Sequence, residues 1–277
     1  MTLLSKFKSV LPDDQQYKEC VILGNGPSLN DTLEKCPDFL EGRALFAVNF
    51  FARTSAFEKL QPKYYVICSP EYFVGEQKKE WVEDRLKTFK ILAESTRWEL
   101  HLFVPTLAKK NKEWQRILET NTNIKIFYFN NTPVEGPPAF RHFLFRKNLG
   151  MPRPHNVLIP SIFLALNLEF KKIYLAGADH SWTREISVND QNQVLIGQKH
   201  FYDAETTQET LGKNKPAAQA MYLGGTNQTR KLHEVLIKFV RSFQSYWVLK
   251  SYAASLDASI INITPGSYID AFERLKP

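Results

Sequence analysis

"CVILGNGPSLN", residues 20–30, joins a short apolar run to a turn with two glycines, a proline and a serine. The apolar run predicts a buried strand, and a helical pattern begins near Leu29. Glycine allows the backbone to approach a ligand closely, proline suits the first turn of a helix, and Ser28 is a favourable helix cap. Because a helix N-terminus attracts anions, the turn from Gly24 to Ser28 predicts a phosphate or nucleotide site. A plain junction between strand and helix is the alternative.

Apolar runs and helical patterns alternate along the rest of the chain. Runs that predict strands lie at 19–24, 44–49, 64–69, 99–105, 123–129, 171–177 and 259–264. Helical patterns lie at about 28–35, 76–94, 107–119, 156–168 and 228–256. Strands that are apolar throughout and alternate with helices are typical of a parallel sheet that is covered on both faces. We therefore predict an α/β, Rossmann-like fold with a mostly parallel sheet and helices on both faces.

One segment departs from this alternation. "EISVNDQNQVLIG" (185–197) predicts two short strands around a polar turn, which is a β-hairpin. The polar stretch 198–219 that follows has no clear period, and such segments inside a domain are usually lids or binding loops. We expect residues 1–277 to form a single Rossmann-like domain, with 180–226 as a small lid that contains the hairpin.

Composition limits the classes of function. The chain has 277 residues, 43% of them hydrophobic, and a net charge of +7, so it can bury a large core and favours anionic partners. Its basic residues form no stripe with interleaved aromatics, and we therefore expect no nucleic-acid binding. Cys20, Cys36 and Cys68 lack metal-binding spacing, which predicts reduced thiols in a cytoplasmic protein. No run approaches the ~20 apolar residues of a membrane span.

The first residues, "MTLLSKFKSVL", are too charged and too short for a signal peptide. Their apolar side chains share one helical face, with Lys6 and Lys8 beside it. One interpretation is a helix that packs on the protein. The other is a helix that contacts anionic lipid, which would place the protein peripherally at the cytoplasmic face of the inner membrane.

Polar clusters follow three further strands. In open α/β sheets, ligands bind outside the carboxyl ends of the strands, so these clusters and the first turn predict one shared site. A buried asparagine that bonds its own backbone is the alternative for the residue after the second strand. The clusters consist of Asn49, then Ser69, Pro70 and Glu71, then Asp179, His180 and Ser181.

The combined pattern resembles the bacterial sialyltransferases of glycosyltransferase family 42. It shares with them the Gly-Asn-Gly-Pro-Ser-Leu turn (24–29), Asn49, the turn at Ser69 and Pro70, and a "K-x-I-Y-L-x-G-x-D" strand (171–179). The same pieces occur in a wider family that includes motility-accessory glycosyltransferases and an archaeal hydroxymethylpterin pyrophosphokinase. "INITPGSYIDAFER" (261–274) is closer to that wider family. The resemblance covers residues 19–274.

The resemblance implies an inverting glycosyltransferase that moves a nonulosonic acid from a CMP-sugar donor to a surface glycan, as in lipooligosaccharide or capsule. It implies that the first turn and Asn49 hold the nucleotide, and that Asn156 faces phosphate and sugar. In the family a tyrosine lies two residues after the Asp of the "GxD" turn, where this chain has Ser181. The expected donor-binding residues are Gly24, Asn25, Gly26, Pro27, Ser28, Asn49, Ser69, Pro70, Asn156, Asp179 and Ser181.

A histidine in the lid is the general base that the resemblance implies, and imidazole suits a hydroxyl acceptor near neutral pH. His200 has this position and is our first choice, while His180 is the second. A solvated loop histidine is the alternative for His200, and His155 is a candidate phosphate contact. Tyr202 and Tyr222 are candidate donors of hydrogen bonds to the departing phosphate.

We expect no cofactor and no metal, because the chain lacks the D-x-D pair of many metal-dependent glycosyltransferases and a monophosphate leaving group can be stabilised by neutral donors. Two alternatives stay open. The first is an ATP-dependent hydroxymethylpterin diphosphokinase, in which Asp179 would bind Mg²⁺. The second is a nucleotide-binding module without catalysis.

Overall fold

A computed structural model describes residues 10–13, 16–73, 79–197, 200–203, 218–222 and 228–277. Its strands are β1 (Glu19–Leu23), β2 (Ala44–Val48), β3 (Tyr64–Val66), β4 (Leu100–Pro105), β5 (Ile124–Phe129), β6 (Lys172–Ala176), β7 (Ile186–Val188), β8 (Val194–Ile196), β9 (Gln219–Ala220), β10 (Ser259–Asn262) and β11 (Glu273–Arg274). Its α-helices are α1 (Leu29–Lys35), α2 (Ser55–Leu60), α3 (Lys79–Ser95), α4 (Glu113–Leu118), α5 (Pro138–Arg146), α6 (Leu158–Asn167) and α7 (Leu232–Ala254).

Eight strands form one parallel sheet in the order β11-β10-β6-β1-β2-β3-β4-β5. This confirms the predicted α/β, Rossmann-like fold, and each of the seven predicted strands is present. β1 lies between β2 and β6, so the chain adds strands first on one side of β1 and later on the other. The edge beside β1 is therefore the switch point at which open α/β sheets bind ligands.

The core has one layer on each face of the sheet. On one face, α6 and α7 pack beside α5 against the even-numbered side chains of β1, which include Cys20 and Ile22. On the other face, α1 to α4 cover Val21 and Leu23. Every residue of β2 is buried, as expected for a strand that is covered on both sides. The core thus keeps the carboxyl ends of β1, β2, β3 and β6 in one row.

The helices differ from the sequence patterns in three places. The run expected at 107–119 is a 3₁₀ helix at Thr106–Lys110 followed by α4, because the Asn111 Oδ1 accepts the Glu113 N–H and starts a new helix. The helices α2 and α5 were not predicted. Both helices are short. Pro137 precedes α5 and Pro138 is its first residue, and two consecutive prolines are more typical of a loop.

A small antiparallel sheet in the order β7-β8-β9 lies outside the large one. Ile186 pairs with Ile196 and Val188 with Val194, so a β-hairpin occupies 185–197. Much of the stretch that was predicted to form a lid, at 198–199, 204–217 and 223–227, lies outside the described residues. Residues 1–9, for which an N-terminal helix was considered, also lie outside them. Among the described helices, none is long and apolar enough to cross a bilayer.

Candidate functional site

A cleft of about 750 Å³ opens at the carboxyl ends of β1, β2, β3 and β6. The N-terminal end of α6 and one side of α7 complete its wall. Twelve of the fourteen residues predicted for the site line it, which brings together positions from 25 to 202. They are Asn25, Gly26, Pro27, Asn49, Ser69, Pro70, Asn156, Asp179, His180, Ser181, His200 and Tyr202.

Gly24 and Ser28 are the two predicted residues that do not line the cleft. The Gly24 N–H donates to the Ala176 carbonyl (2.8 Å), and the Gly26 N–H donates to the Gly177 carbonyl (2.9 Å). A Cβ on Gly24 would lie 2.5 Å from the Gly177 oxygen. Glycine is therefore needed at position 24 so that the ends of β1 and β6 can touch, and the N–H groups of both glycines serve this contact.

Ser28 occupies the N-cap position of α1, as predicted, but its side chain does not cap the helix. No side-chain cap bond is present; instead the Ser28 hydroxyl donates to Asp179 Oδ2 (2.7 Å) and its N–H donates to Asp179 Oδ1 (3.3 Å). The protein's own carboxylate thus lies at the N-terminal end of α1, where an external anion was expected. Burial raises the pKa of Asp179, while the two bonds from Ser28 act in the opposite direction.

Four residues of the cleft wall carry a buried polar atom that has no hydrogen-bond partner among the described residues. Leaving such an atom unsatisfied costs about 1–3 kcal/mol, so a group of them at one cleft indicates a ligand site. Asn49 does not bond its own backbone, which was the alternative interpretation of this residue. The four atoms are Asn25 Oδ1, Asn49 Oδ1, His155 Nε2 and Asn156 Nδ2.

Hydrogen bonds fix which amide atom is unpaired in two of these residues. The Asn25 Nδ2 donates to the Val48 carbonyl (3.3 Å), which leaves its Oδ1 as an acceptor. The Asn156 Oδ1 accepts the N–H groups of Leu158 (3.0 Å) and Ile159 (3.3 Å) at the start of α6, which leaves its Nδ2 as a donor. The wall at β1 therefore offers an acceptor, and the wall at α6 offers a donor.

His180 belongs to a chain of hydrogen bonds whose direction is determined. Tyr246 has one hydroxyl proton and donates it to Asn156 Oδ1 (3.1 Å). The contact between His180 Nε2 and the Tyr246 oxygen then requires the proton on Nε2. Burial lowers the pKa of His180 to about 3, so the ring is neutral at physiological pH and its Nδ1 is unprotonated. Trp182 packs on the ring at 4.0 Å between centroids.

The turn that holds Asp179 and His180 is fastened by the loop after β10. The Thr264 hydroxyl accepts the Ala178 N–H (2.9 Å), and the Ser267 hydroxyl donates to the Ala178 carbonyl (2.6 Å). The Tyr268 N–H donates to the Asp179 carbonyl (2.9 Å). The "INITPGSYIDAFER" stretch thus supports the cleft from behind, and His180 is held with a left-handed φ of 52°.

His200 and Tyr202 lie on a short segment that contacts the first turn. The Phe201 N–H donates to the Asn25 carbonyl (3.1 Å), and the Asn30 Nδ2 donates to the Phe201 carbonyl (2.9 Å). The rings of His200 and Tyr202 stack with centroids 5.0 Å apart. Both backbone groups of Phe201 thus hold the segment against the first turn and α1, and His200 lies half-buried at the edge of the cleft.

Positive charge collects at the α6 side of the cleft. Burial lowers the pKa of His155, and the nearby charges of Arg153, Arg241 and Lys238 lower it further. Lys238 reaches the cleft wall from α7. Neither Lys238 nor Tyr246 was predicted for the site, because both lie on the amphipathic helix α7 with no motif around them.

Some candidates are not brought into the site. Tyr222 is half exposed, pairs with Thr229 and does not line the cleft. The three cysteines form no disulfide; Cys20 is buried in β1, whereas Cys68 borders the cleft. Within the described residues, no group of three or more His, Cys, Asp or Glu side chains is arranged to hold a metal ion.

Comparison with solved structures identifies a protein with a similar fold. No protein-family model and no curated protein matches the sequence. Among solved structures, the chain is similar to the Maf glycosyltransferase from Magnetospirillum magneticum AMB-1, with a TM-score of 0.50, 13% identity and 97% of this chain covered. The match covers 35% of that protein, so this chain spans about a third of its length. A mammalian sialyltransferase aligns with a TM-score of 0.34 and 12% identity, over 68% of this chain and 59% of the other. The chain thus has a Rossmann-like fold that it shares with the Maf glycosyltransferase.

Proposed function

We propose that the protein is an inverting glycosyltransferase that transfers a nonulosonic acid from a CMP-sugar to a glycan acceptor. The observation that carries the proposal is the set of four unpaired polar atoms at the cleft, with an acceptor at β1 and a donor at the cation-rich side near α6. A nucleotide-sugar has matching ends, because its base and ribose donate hydrogen bonds while its phosphate and carboxylate accept them.

The donor substrate would lie across the ends of the strands. The amide oxygens of Asn25 and Asn49 would accept from the cytosine amine and the ribose hydroxyls. The Asn156 Nδ2, at the start of α6, and the Lys238 ammonium would meet the phosphate and the sugar carboxylate, where the helix dipole also favours negative charge. Asp179 would hold the turn at Ser28 closed and would not touch the phosphate.

The chemical step is a single displacement. An acceptor hydroxyl gives its proton to His200 while its oxygen forms a bond to the anomeric carbon. The bond from that carbon to the phosphate oxygen breaks, and CMP leaves from the opposite face with the electron pair. Configuration at the anomeric carbon inverts. Tyr202 and Ser181, both at the cleft wall, would donate hydrogen bonds to the departing phosphate.

The first experiment is a thermal-shift comparison of CMP, UMP and ATP with and without EDTA. A ligand at 100 times its Kd stabilises a protein by about 2.7 kcal/mol, which raises Tm by about 5 °C in a chain of this size. We expect the shift with CMP in EDTA and its loss in Asn25→Ala. The control is Asn111→Ala, which removes only a bond to the Glu113 N–H at the start of α4 and should keep the shift. A shift with ATP and Mg²⁺ alone would instead support the diphosphokinase.

The second experiment follows hydrolysis of a CMP-nonulosonic acid and transfer to a glycan acceptor. We propose that no cofactor is required, so both reactions are expected to continue in EDTA. Nucleotide binding without turnover of any CMP-sugar would support the non-catalytic module. Activity that disappears in EDTA and returns with Mg²⁺ would contradict the proposed mechanism.

A further inference from the structure

In the described part of the chain, the helices α5 and α7 carry most of the exposed large hydrophobic side chains. Eleven large hydrophobic side chains are exposed within the described part of the chain, and seven of them lie on these two helices. Val240 is 53% exposed and Trp247 49%. The α5–α7 face is defined by Phe140, Phe143, Leu232, Leu236, Ile237, Val240 and Trp247.

Four of the five exposed apolar side chains of α7 lie on one side of that helix, and α5 packs against the same helix. Leu232, Leu236 and Val240 follow one another at intervals of four residues and so share one side of α7. Ser251 lies one turn beyond Trp247, and its hydroxyl contacts His142 Nε2 of α5 at 3.4 Å. The α5 helix therefore packs beside α7 one turn beyond Trp247, and it carries two further exposed phenylalanines. A concentration of exposed apolar side chains on two packed helices marks an interaction site.

The same two segments are strongly basic. Residues 138–147 and 231–254 contain seven Lys or Arg residues and one acidic residue, Glu234. Two of the seven, Lys238 and Arg241, lie on the cleft side near His155. The other five are Arg141, Arg146, Lys147, Lys231 and Lys250. Glu234 is engaged at the start of α7, where its carboxylate accepts the Lys231 N–H. Lys250 lies over the Trp247 ring at 4.8 Å. Apolar side chains thus stand among cations, with no exposed carboxylate of these segments to balance them.

We propose that the α5–α7 face docks on an anionic phospholipid bilayer. Apolar and aromatic side chains of a basic helix face enter the boundary between headgroups and acyl chains, while the Lys and Arg side chains reach up to the phosphates. Each cation near such a surface contributes about 1 kcal/mol. The face contains none of residues 1–9, and docking of the face does not depend on the reaction proposed above.

A second copy of the chain fits this face less well. In a twofold dimer the same patch of each subunit meets itself, so the two basic faces would be brought together. Like charges in contact oppose such an association, whereas an anionic lipid surface complements the charge. The charge distribution therefore favours the bilayer.

The experiment is co-sedimentation of the full chain with vesicles of phosphatidylcholine alone or with 30% phosphatidylglycerol. We expect binding to the anionic vesicles, little binding to the neutral ones, and release at high salt. Lys250→Glu should weaken binding about fivefold or more, as expected for the loss of ~1 kcal/mol. The double variant Val240→Ser/Trp247→Ser should bind at least as weakly. Lys90→Glu and Val188→Ser, on other exposed surfaces, are matched controls that should bind normally.

A conservative variant guards against misfolding. Trp247→Phe keeps an aromatic side chain, so it should retain binding and lose the blue shift of tryptophan fluorescence that vesicles cause in the parent protein. Absence of binding to anionic vesicles would overturn the proposal. So would binding that the variants of this face leave unchanged, or a dimer in light scattering that the same variants dissociate.

Discussion

His180 and His200 border the same cleft, but the protein holds them in different ways. His180 is 7% exposed, is bonded to Tyr246 and packs on Trp182. His200 is half-buried and stacks on Tyr202, on a segment that contacts the turn after β1. A ring whose pKa is about 3 is a weak base at neutral pH, and its proton already serves Tyr246. The difference assigns His180 to the rigid wall and leaves His200 as the candidate base.

The largest expected effect tests this assignment directly. His200→Ala should lower turnover by a factor of about 10² to 10⁴, the usual contribution of a general base. Nucleotide affinity should remain, because the base contacts the acceptor. Steady-state kinetics and calorimetric titration with CMP would measure the two quantities, and His233→Ala, an exposed histidine on α7, is the control. Normal turnover in His200→Ala together with lost turnover in His180→Asn would reverse the two roles.

The next largest effect tests whether Asn156 donates a hydrogen bond to the nucleotide. Asn156→Asp keeps the oxygen that accepts from Leu158 and Ile159, and it replaces the donor Nδ2 with a charged oxygen. CMP affinity should fall about 10- to 100-fold, because a bond to a charged group worth about 1.5–3 kcal/mol is lost. Asn111→Asp, which likewise keeps its bond to the Glu113 N–H, should leave the affinity unchanged. Equal CMP affinity in both variants would exclude Asn156 as a phosphate donor.

A third test uses pH and measures His180 alone. The pKa of His180 is about 3 in the folded chain and near 6.5 in the unfolded chain, so between these values the unfolded state binds more protons. Above pH 6.5, His180 does not lower the free energy of unfolding. Below it, this free energy falls by about 1.4 kcal/mol per pH unit as the pH drops towards 3. Urea denaturation of wild type and His180→Asn should show this slope in the wild type and its loss in the variant. Asparagine tolerates the left-handed backbone of this position. Parallel pH profiles would mean that His180 is not buried as a neutral ring.

The smallest effect concerns Tyr246, which joins the two sides of the wall. Tyr246→Phe removes the bonds to His180 and Asn156 and should lower CMP affinity about two- to tenfold, the worth of one neutral hydrogen bond. Tyr252→Phe is a matched control. Tyr252 lies on α7 like Tyr246, but away from the cleft, and its buried hydroxyl donates to Asn167 Oδ1 of α6 (2.6 Å). Both variants should lose similar stability in urea denaturation. A fall in CMP affinity shared by both variants would indicate a general effect of packing on the cleft.

The sequence alone determined the sheet and the position of the cleft. The seven long apolar runs are local signals, because a strand that is covered on both faces must be apolar throughout its length. In a parallel sheet the residues after such strands meet at one edge, so Asn25, Asn49 and Asp179 were predicted to come together before any contact was known. The fold and most of the cleft lining follow from these two rules.

Only the tertiary structure decided what each residue of the cleft does. Ser28 had the local signature of a helix cap, yet it bonds Asp179, 151 residues away. Tyr246 and Lys238 join the wall through the packing of α7, and nothing near them in sequence marks them. Hydrogen-bond direction, tautomer and pKa depend on burial and on partners from distant segments. The chain therefore specifies the frame of the site by local pattern, and packing specifies its chemistry.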